Sequence, residues 1–175
     1  NMYDIINIAK TKAIDSLLDH QYLDVFQKTY VDVVRNARDG NLLFQGALEN
    51  GPEIKTTFSD NDFSKSLNMI ARTISVHEQL GFKRQVFYVN FYGWDHHDEV
   101  LQNQVDMFNI VNDGLVEFYA AMEELNLTKQ VATFSISEFG RSLTSNGNGT
   151  DHAWGGNSFI IGGDLNGSRI FGDYP

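Results

Sequence analysis

Cysteine is absent from the 175 residues, which excludes a disulfide framework and a thiolate metal site and leaves the redox compartment open. No apolar run approaches the roughly 18 residues of a membrane span. The opening residues, Asn1-Met-Tyr-Asp4, lack the basic and apolar regions of a signal peptide. The chain therefore reads as soluble, with no transmembrane segment and no targeting signal of its own. Basic residues are scarce: 13 Lys and Arg stand against 23 Asp and Glu, for a net charge of −10 and a pI near 4.7. That balance argues against a nucleic-acid partner, while an acidic chain can still hold a cation locally. Only two prolines occur. One of them, in Asn50-Gly-Pro52, ends whatever helix carries Leu42 to Leu48, because proline has no amide donor and restricts the residue before it. No internal repeat or low-complexity tract is evident.

What is there reads first as helix. Ile5, Ala9, Ala13 and Leu17 recur at helical spacing, and Tyr22, Phe26, Tyr30, Val33 and Ala37 follow His20, itself read as a helix-junction residue. Ser59 or Asp60 is placed to cap a further helix with a buried face of Phe63, Leu67, Ile70 and Ile74, and His77 continues that stripe as a packed or rim residue. From Gln85 the pattern changes. Val86 to Phe91 is nearly all apolar, as expected of a strand covered on both faces. Leu101, Val105, Phe108, Val111, Leu115, Phe118, Met122 and Leu125 then describe one long helix in which Gly114 is a candidate bend. Val131 to Ile136 reads as a second buried strand, so residues 85–136 predict a β-α-β unit with parallel strands and a right-handed crossover. Ser142 to Asn157 is a polar, glycine-rich loop too long for a plain connector. A third strand, Ser158 to Ile161, ends in Gly162-Gly163.

The expected architecture is α/β: a partial doubly wound, mostly parallel sheet flanked by helices. A helical segment, residues 1–81, packs on a β-α-β core, residues 82–175, that carries the site loops. Three strands are few against the roughly five or six of a typical sheet. The chain is therefore expected to be one domain, incomplete at both ends.

Chemistry concentrates in Phe91-Tyr-Gly-Trp-Asp-His-His-Asp98, a strand-to-helix loop of the kind at which open α/β sheets bind ligands. Asp95 and His97 are two apart, which in an extended segment puts both side chains on one side, roughly 6 to 7 Å apart at Cα. With His152 from the glycine-rich loop and Glu138 close by, they form a mixed oxygen and nitrogen set suited to zinc or manganese and poor for calcium. Each residue has a plainer reading as well. Asp95 can cap the following helix, Glu138 and Arg141 can pair as a loop salt bridge, and Asp151 can pair with His152 on the surface. His96 points away from Asp95 and His97 and is read as an outer or solvent residue. Trp94 and Trp154 are read as packing aromatics that can also wall the site. Arg141 is the candidate for binding an anionic phosphate or sulfate group through its planar fork, with salt bridging or helix capping as the alternative.

Four motifs, Gly93-Trp-Asp-His-His97, Ser137-Glu-Phe-Gly-Arg141, Asn146-Gly-Asn-Gly-Thr-Asp-His152, and Gly162-Gly leading to Gly172-Asp-Tyr-Pro175, resemble in order and spacing the bacterial sulfatase-like family called domain of unknown function fifteen-oh-one. The resemblance covers about residues 82 to 175, and residues 1 to 81 fit it loosely. It implies a branch of the alkaline phosphatase superfamily, with a doubly wound, alkaline-phosphatase-like sheet and a centre of one or two divalent ions. On that resemblance Asp95, His97 and His152 serve one metal site, and Glu138 stands where an acid of the second site follows a strand. Asp151, part of the same motif, is either a ligand or a residue that orients His152. The sequence departs from the superfamily at Phe139, where a histidine usually follows that acid, and at His96, where family members commonly have threonine. Ser135, Ser137 and Thr150 are not in the place of the nucleophile, which is expected upstream, and a further segment is expected beyond Pro175. The resemblance also implies a bacterial periplasmic or cell-envelope setting.

The leading expectation is a metal-dependent hydrolase of phosphate or sulfate esters, acting on a small-molecule or glycan ester. The competing one is a non-catalytic cell-envelope binding protein on the same fold. A phosphoryl mutase or transferase is a third.

Overall fold

The computed structural model describes residues 2–173, so the Tyr174-Pro175 end of the fourth motif lies outside the described residues. The chain divides into two compact units, residues 1–50 and 51–175. No described helix is long and apolar enough to cross a membrane.

The first unit is a pair of helices, α1 (Met2–Asp19) and α2 (Val25–Glu49), which touch one another. Asp24 caps α2 by accepting the Gln27 amide at 2.9 Å, and α2 ends at Asn50, immediately before Gly51-Pro52. Between the helices His20 packs edge-on against Tyr22. Arg35 donates to the Leu18 carbonyl and Arg38 pairs with Asp15, so the helices are joined by polar contacts as well as by packing.

The second unit is built on α3 (Asp62–Ser75) against α4 (Val100–Glu124). Leu67, Ala71 and Ile74 from α3 meet Phe118, Ala121 and Met122 from α4, and Ile54, Phe58, Phe63, Ile70, Val89, Leu125, Leu127 and Val131 cover them. Gly114 is buried against the start of α3: a Cβ there would lie 2.8 Å from Phe63 Cδ1. Its role is close approach of the two helices. The N-cap of α3 is Asn61, which accepts the Ser64 amide at 2.9 Å, in place of the expected Ser59 or Asp60. Ser59 instead donates its amide and hydroxyl to Glu117 on α4. Glu124 likewise accepts the amides of Lys55 at 2.8 Å and Thr56 at 3.0 Å. Two acids of α4 therefore hold the extended segment before α3. His77 lies just past α3, its Nδ1 2.7 Å from the Ile74 carbonyl. At its other end α4 closes in a Schellman turn: Asn126 takes φ 57°, with Asn126 N bonded to Glu123 O and Leu127 N to Met122 O.

The doubly wound parallel sheet is not formed, nor is the β-α-β unit over residues 85–136. Among the described residues the strands make two small antiparallel pairs. β1 (Ala132–Phe134) pairs with β4 (Ile160–Gly162), in the register Thr133↔Ile161. β2 (Gly140–Ser145) pairs with β3 (Thr150–Ala153) as a hairpin that begins at Gly140 and runs into the stretch expected to be a loop. Val86 to Phe91 forms no strand. Its alternate residues Val89 and Phe91 pack toward the helices, Phe91 with its ring 5.2 Å from that of Phe63, while Val86 is 96% exposed. Apolar periodicity reports which side chains a segment can bury. It carries no information on which backbone will supply the ladder partner a strand requires.

Candidate functional site

The segment before α4 is shaped by packing on one side and by turn geometry on the other. Gly93 turns at φ 104°, a conformation that favours glycine. Trp94 is then held between Phe91 and Phe108, with centroids at 5.9 and 4.9 Å, and the His96 ring nitrogen lies 3.2 Å from Met107 Sδ. With Trp94 and His96 committed to α4, Asp95 and His97 are left exposed on the outer side. The hairpin brings the other donors. Its register sets Arg141 opposite His152. Its tip, Asn146 to Gly149, closes when Asn146 Oδ1 accepts the Gly149 amide at 2.9 Å.

The tip rests on the segment before α4. Asn146 Nδ2 donates to the His97 carbonyl and to Asp151 Oδ1, each at 3.1 Å, and Asn148 Nδ2 donates to Asp98 Oδ1 at 2.7 Å. Gly149 fits directly against His97, since a Cβ there would lie 2.5 Å from its carbonyl oxygen.

Docked in this way, the two segments bring Asp95, His97 and His152 into one group whose donor atoms all lie within 4.8 Å of one another. Asp95 Oδ1 is 2.6 Å from His152 Nε2 and 3.2 Å from His97 Nε2. The other nitrogen of His97, Nδ1, lies 3.1 Å from Asp151 Oδ1. Hydrogen bonding to His152 holds the Asp95 carboxyl below its ordinary range, and the neighbouring His97 adds to the effect. Asp151 is lowered in the same sense, first by His97 and then by Asn146. Both acids thus favour the anionic form that a cation requires.

Glu138 is exposed and is not in this group. Asp151 reaches His97, not His152. Arg141 donates Nη1 to the Thr150 carbonyl at 2.7 Å and Nη2 to the Trp94 carbonyl at 2.8 Å. Phe139 lies with its ring stacked on His152 at 4.2 Å, and the Arg141 guanidinium sits 5.3 Å from the same ring. Trp154 is 71% exposed. The contributions of Asn146, Asn148 and Asp98 were not foreseen from the sequence. The one available signal was the pair of asparagines alternating with glycines at 146–149, a turn pattern whose side chains bond locally.

The family model described as Protein of unknown function (DUF1501) matches residues 49–175. The chain belongs to that family. No curated protein and no solved structure matches it. The DUF1501 region takes in α3, α4, both strand pairs and the whole Asp95, His97 and His152 group, whereas α1 and all but the last residue of α2 lie outside it.

Proposed function

We propose that the chain is a metal-dependent hydrolase of phosphate or sulfate esters carried by small molecules or glycans. The observation that carries this reading is the convergence of one carboxylate oxygen and two imidazole nitrogens, from segments 57 residues apart, within 4.8 Å. The donor set fits a divalent ion such as zinc or manganese. Tetrahedral ligands at bond lengths near 2.1 Å stand about 3.4 Å from one another, which is within the spread of these three atoms. Asp95, His97 and His152 would hold the ion, and Asp151 would keep His97 in the tautomer whose Nε2 carries the free lone pair. When bound, such an ion polarises an ester oxygen or acidifies a water. Since Glu138 stands apart from the group, the reading takes a single ion.

The order of the four motifs supports a kinship with the sulfatases and phosphatases of the alkaline phosphatase superfamily, and with it a bacterial cell-envelope setting. The architecture is no part of that support. The test is metal analysis of the protein together with a screen of phosphate and sulfate monoesters. About one equivalent of metal and a hydrolytic activity, both lost in Asp95→Ala, are expected; a protein with neither would defeat the reading.

A second reading, a non-catalytic cell-envelope binding protein, is favoured by the openness of the group, whose side chains are 45–64% exposed. A glycan or protein complex that survives the double change His97→Ala and His152→Ala would establish it over the hydrolase.

A further inference from the structure

Arg141 spends its guanidinium on two main-chain carbonyls, and the position of those carbonyls is informative. One belongs to Trp94, immediately before Asp95, and the other to Thr150, immediately before Asp151. The same nitrogen that reaches the Thr150 carbonyl also lies 3.4 Å from its hydroxyl. The main chain of Arg141 is fixed independently: its amide donates to the Gly155 carbonyl at 2.7 Å, and its carbonyl accepts the Gly155 amide at 3.1 Å. The guanidinium carbon lies over the Phe139 ring, 5.3 Å from its centroid, and the same ring stacks on His152. One half-buried side chain therefore touches the segment bearing Asp95 and His97, the strand bearing Asp151 and His152, and the ring that backs His152.

We propose that Arg141 is a positioning residue that fixes the distance between the two ligand-bearing segments, and so the donor spacing of the metal group. This rests on the metal-site reading above. A guanidinium is suited to the task because its terminal nitrogens are held in one rigid plane, so two carbonyls bonded to them are held at a set separation. A lysine ammonium keeps the charge but is a single point on a flexible stem and cannot impose that geometry. Arg141 acts through the main chain on either side of the group and is not itself a ligand. These bonds use only part of the five guanidinium N–H donors, so the anion-binding role expected from the sequence is separate from the positioning role.

The test uses the whole chain and metal alone as probe. Zinc affinity is measured by chelator competition and the visible absorption of the cobalt(II) form is recorded, for the wild type, Arg141→Lys, Arg141→Ala and Asp95→Ala. In Arg141→Lys the expected result is about a 10-fold loss of zinc affinity, the low end of what removing a direct partner of a metal ligand costs, because Arg141 bonds the main chain beside the ligands and no ligand itself. A changed cobalt band shape should accompany it, with far-UV circular dichroism and thermal midpoint close to wild type. The band shape reports ligand geometry, which a role confined to folding would leave alone. If Arg141→Ala does not fold, Arg141→Lys carries the test by itself. Wild-type affinity and an unaltered cobalt spectrum in Arg141→Lys, with binding abolished in Asp95→Ala, would overturn the positioning role and leave the metal site standing. A wild-type chain that takes up neither metal would overturn the site and the role of Arg141 together.

Discussion

His97 Nδ1 lies 3.1 Å from Asp151 Oδ1, while the opposite nitrogen of the same ring faces Asp95. A carboxylate at Nδ1 favours the tautomer protonated there, leaving Nε2 as the lone-pair donor. Asn146 in turn donates to Asp151 Oδ1 and so orients the orienter. Asp151→Ala is expected to weaken zinc binding about 10- to 100-fold without abolishing it, whereas Asp95→Ala removes a donor and abolishes it. Chelator competition at fixed pH separates the two. Equal losses would make Asp151 a ligand in its own right.

The hairpin tip approaches the segment before α4 more closely than any side chain would permit. A Cβ on Gly149 would lie 2.5 Å from the His97 carbonyl and 2.6 Å from Val100 Cγ2. Gly149→Ala is expected to displace the tip, destabilising the protein by about 1–3 kcal/mol, the usual range for an overpacked contact. It should weaken metal binding at the same time, because the tip carries Asn146 and leads into β3. Gly147→Ala is a poor control because that residue turns at φ 117°, but Gly167→Ala meets no atom within 4 Å and should leave both measurements unchanged.

The helices and the shared direction of Asp95 and His97 could be read from the sequence because both are local patterns. Leu67 and Ile74 occupy the buried side of α3, and the threes and fours from Leu101 to Leu125 are α4 to within a residue at each end. Asp95 and His97 face the same way because His96 between them turns inward to Met107. The strands are not legible in this way, for a physical reason. Val131 to Ile136 is apolar enough for a parallel core strand, yet Thr133 pairs antiparallel with Ile161, and pairing direction is settled by long-range contact, to which periodicity is blind. Asn146, Asn148 and Asp98 went unread for a related reason: their value lies in reaching another segment, and taken locally they are ordinary turn residues. Glu138 is expected close to the group both from its place after a strand and from the resemblance, and the structure leaves it outside the group.

Gly114 of α4 lies close against Phe63 and Ser64 of α3, and its replacement sets two effects of opposite sign against each other. Alanine in a helix interior gains about 1 kcal/mol over glycine. The added methyl would meet Phe63 Cδ1 at 2.8 Å and Ser64 Oγ at 3.2 Å, in a place where Ser64 is fully buried and cannot yield outward. Overpacking of this kind costs about 1–3 kcal/mol, so Gly114→Ala is expected to be net destabilising by about 1 kcal/mol in urea unfolding. A more stable variant would mean that the Phe63 ring rotates aside freely and that the helix contact is looser than its distances imply. Leu67→Ala, which empties the facing side of the same core, is expected to cost about 2–5 kcal/mol.

Glu124 gives the second unit a dependence on pH whose sign can be worked out. Hydrogen bonds from the Lys55 amide, then from the Thr56 hydroxyl and amide, hold its carboxyl below the ordinary value of 4.5. The unfolded chain therefore binds this proton at a higher pH than the folded one, and stability rises with pH across that interval. The contribution is complete above about pH 4.5 and is lost as the pH falls through the lower, folded value. Glu124→Gln keeps a hydrogen-bonding oxygen but removes the charge, so the variant should be less stable than wild type at neutral pH. The difference between the two, measured by urea unfolding from pH 7 down to pH 3, should shrink below pH 4.5, because acid imposes on the wild type the neutralisation already built into the variant. A difference that stays constant with pH would mean that the amides of Lys55 and Thr56 bond the neutral side chain as well as the charged one, and that the tether between this segment and α4 is indifferent to charge.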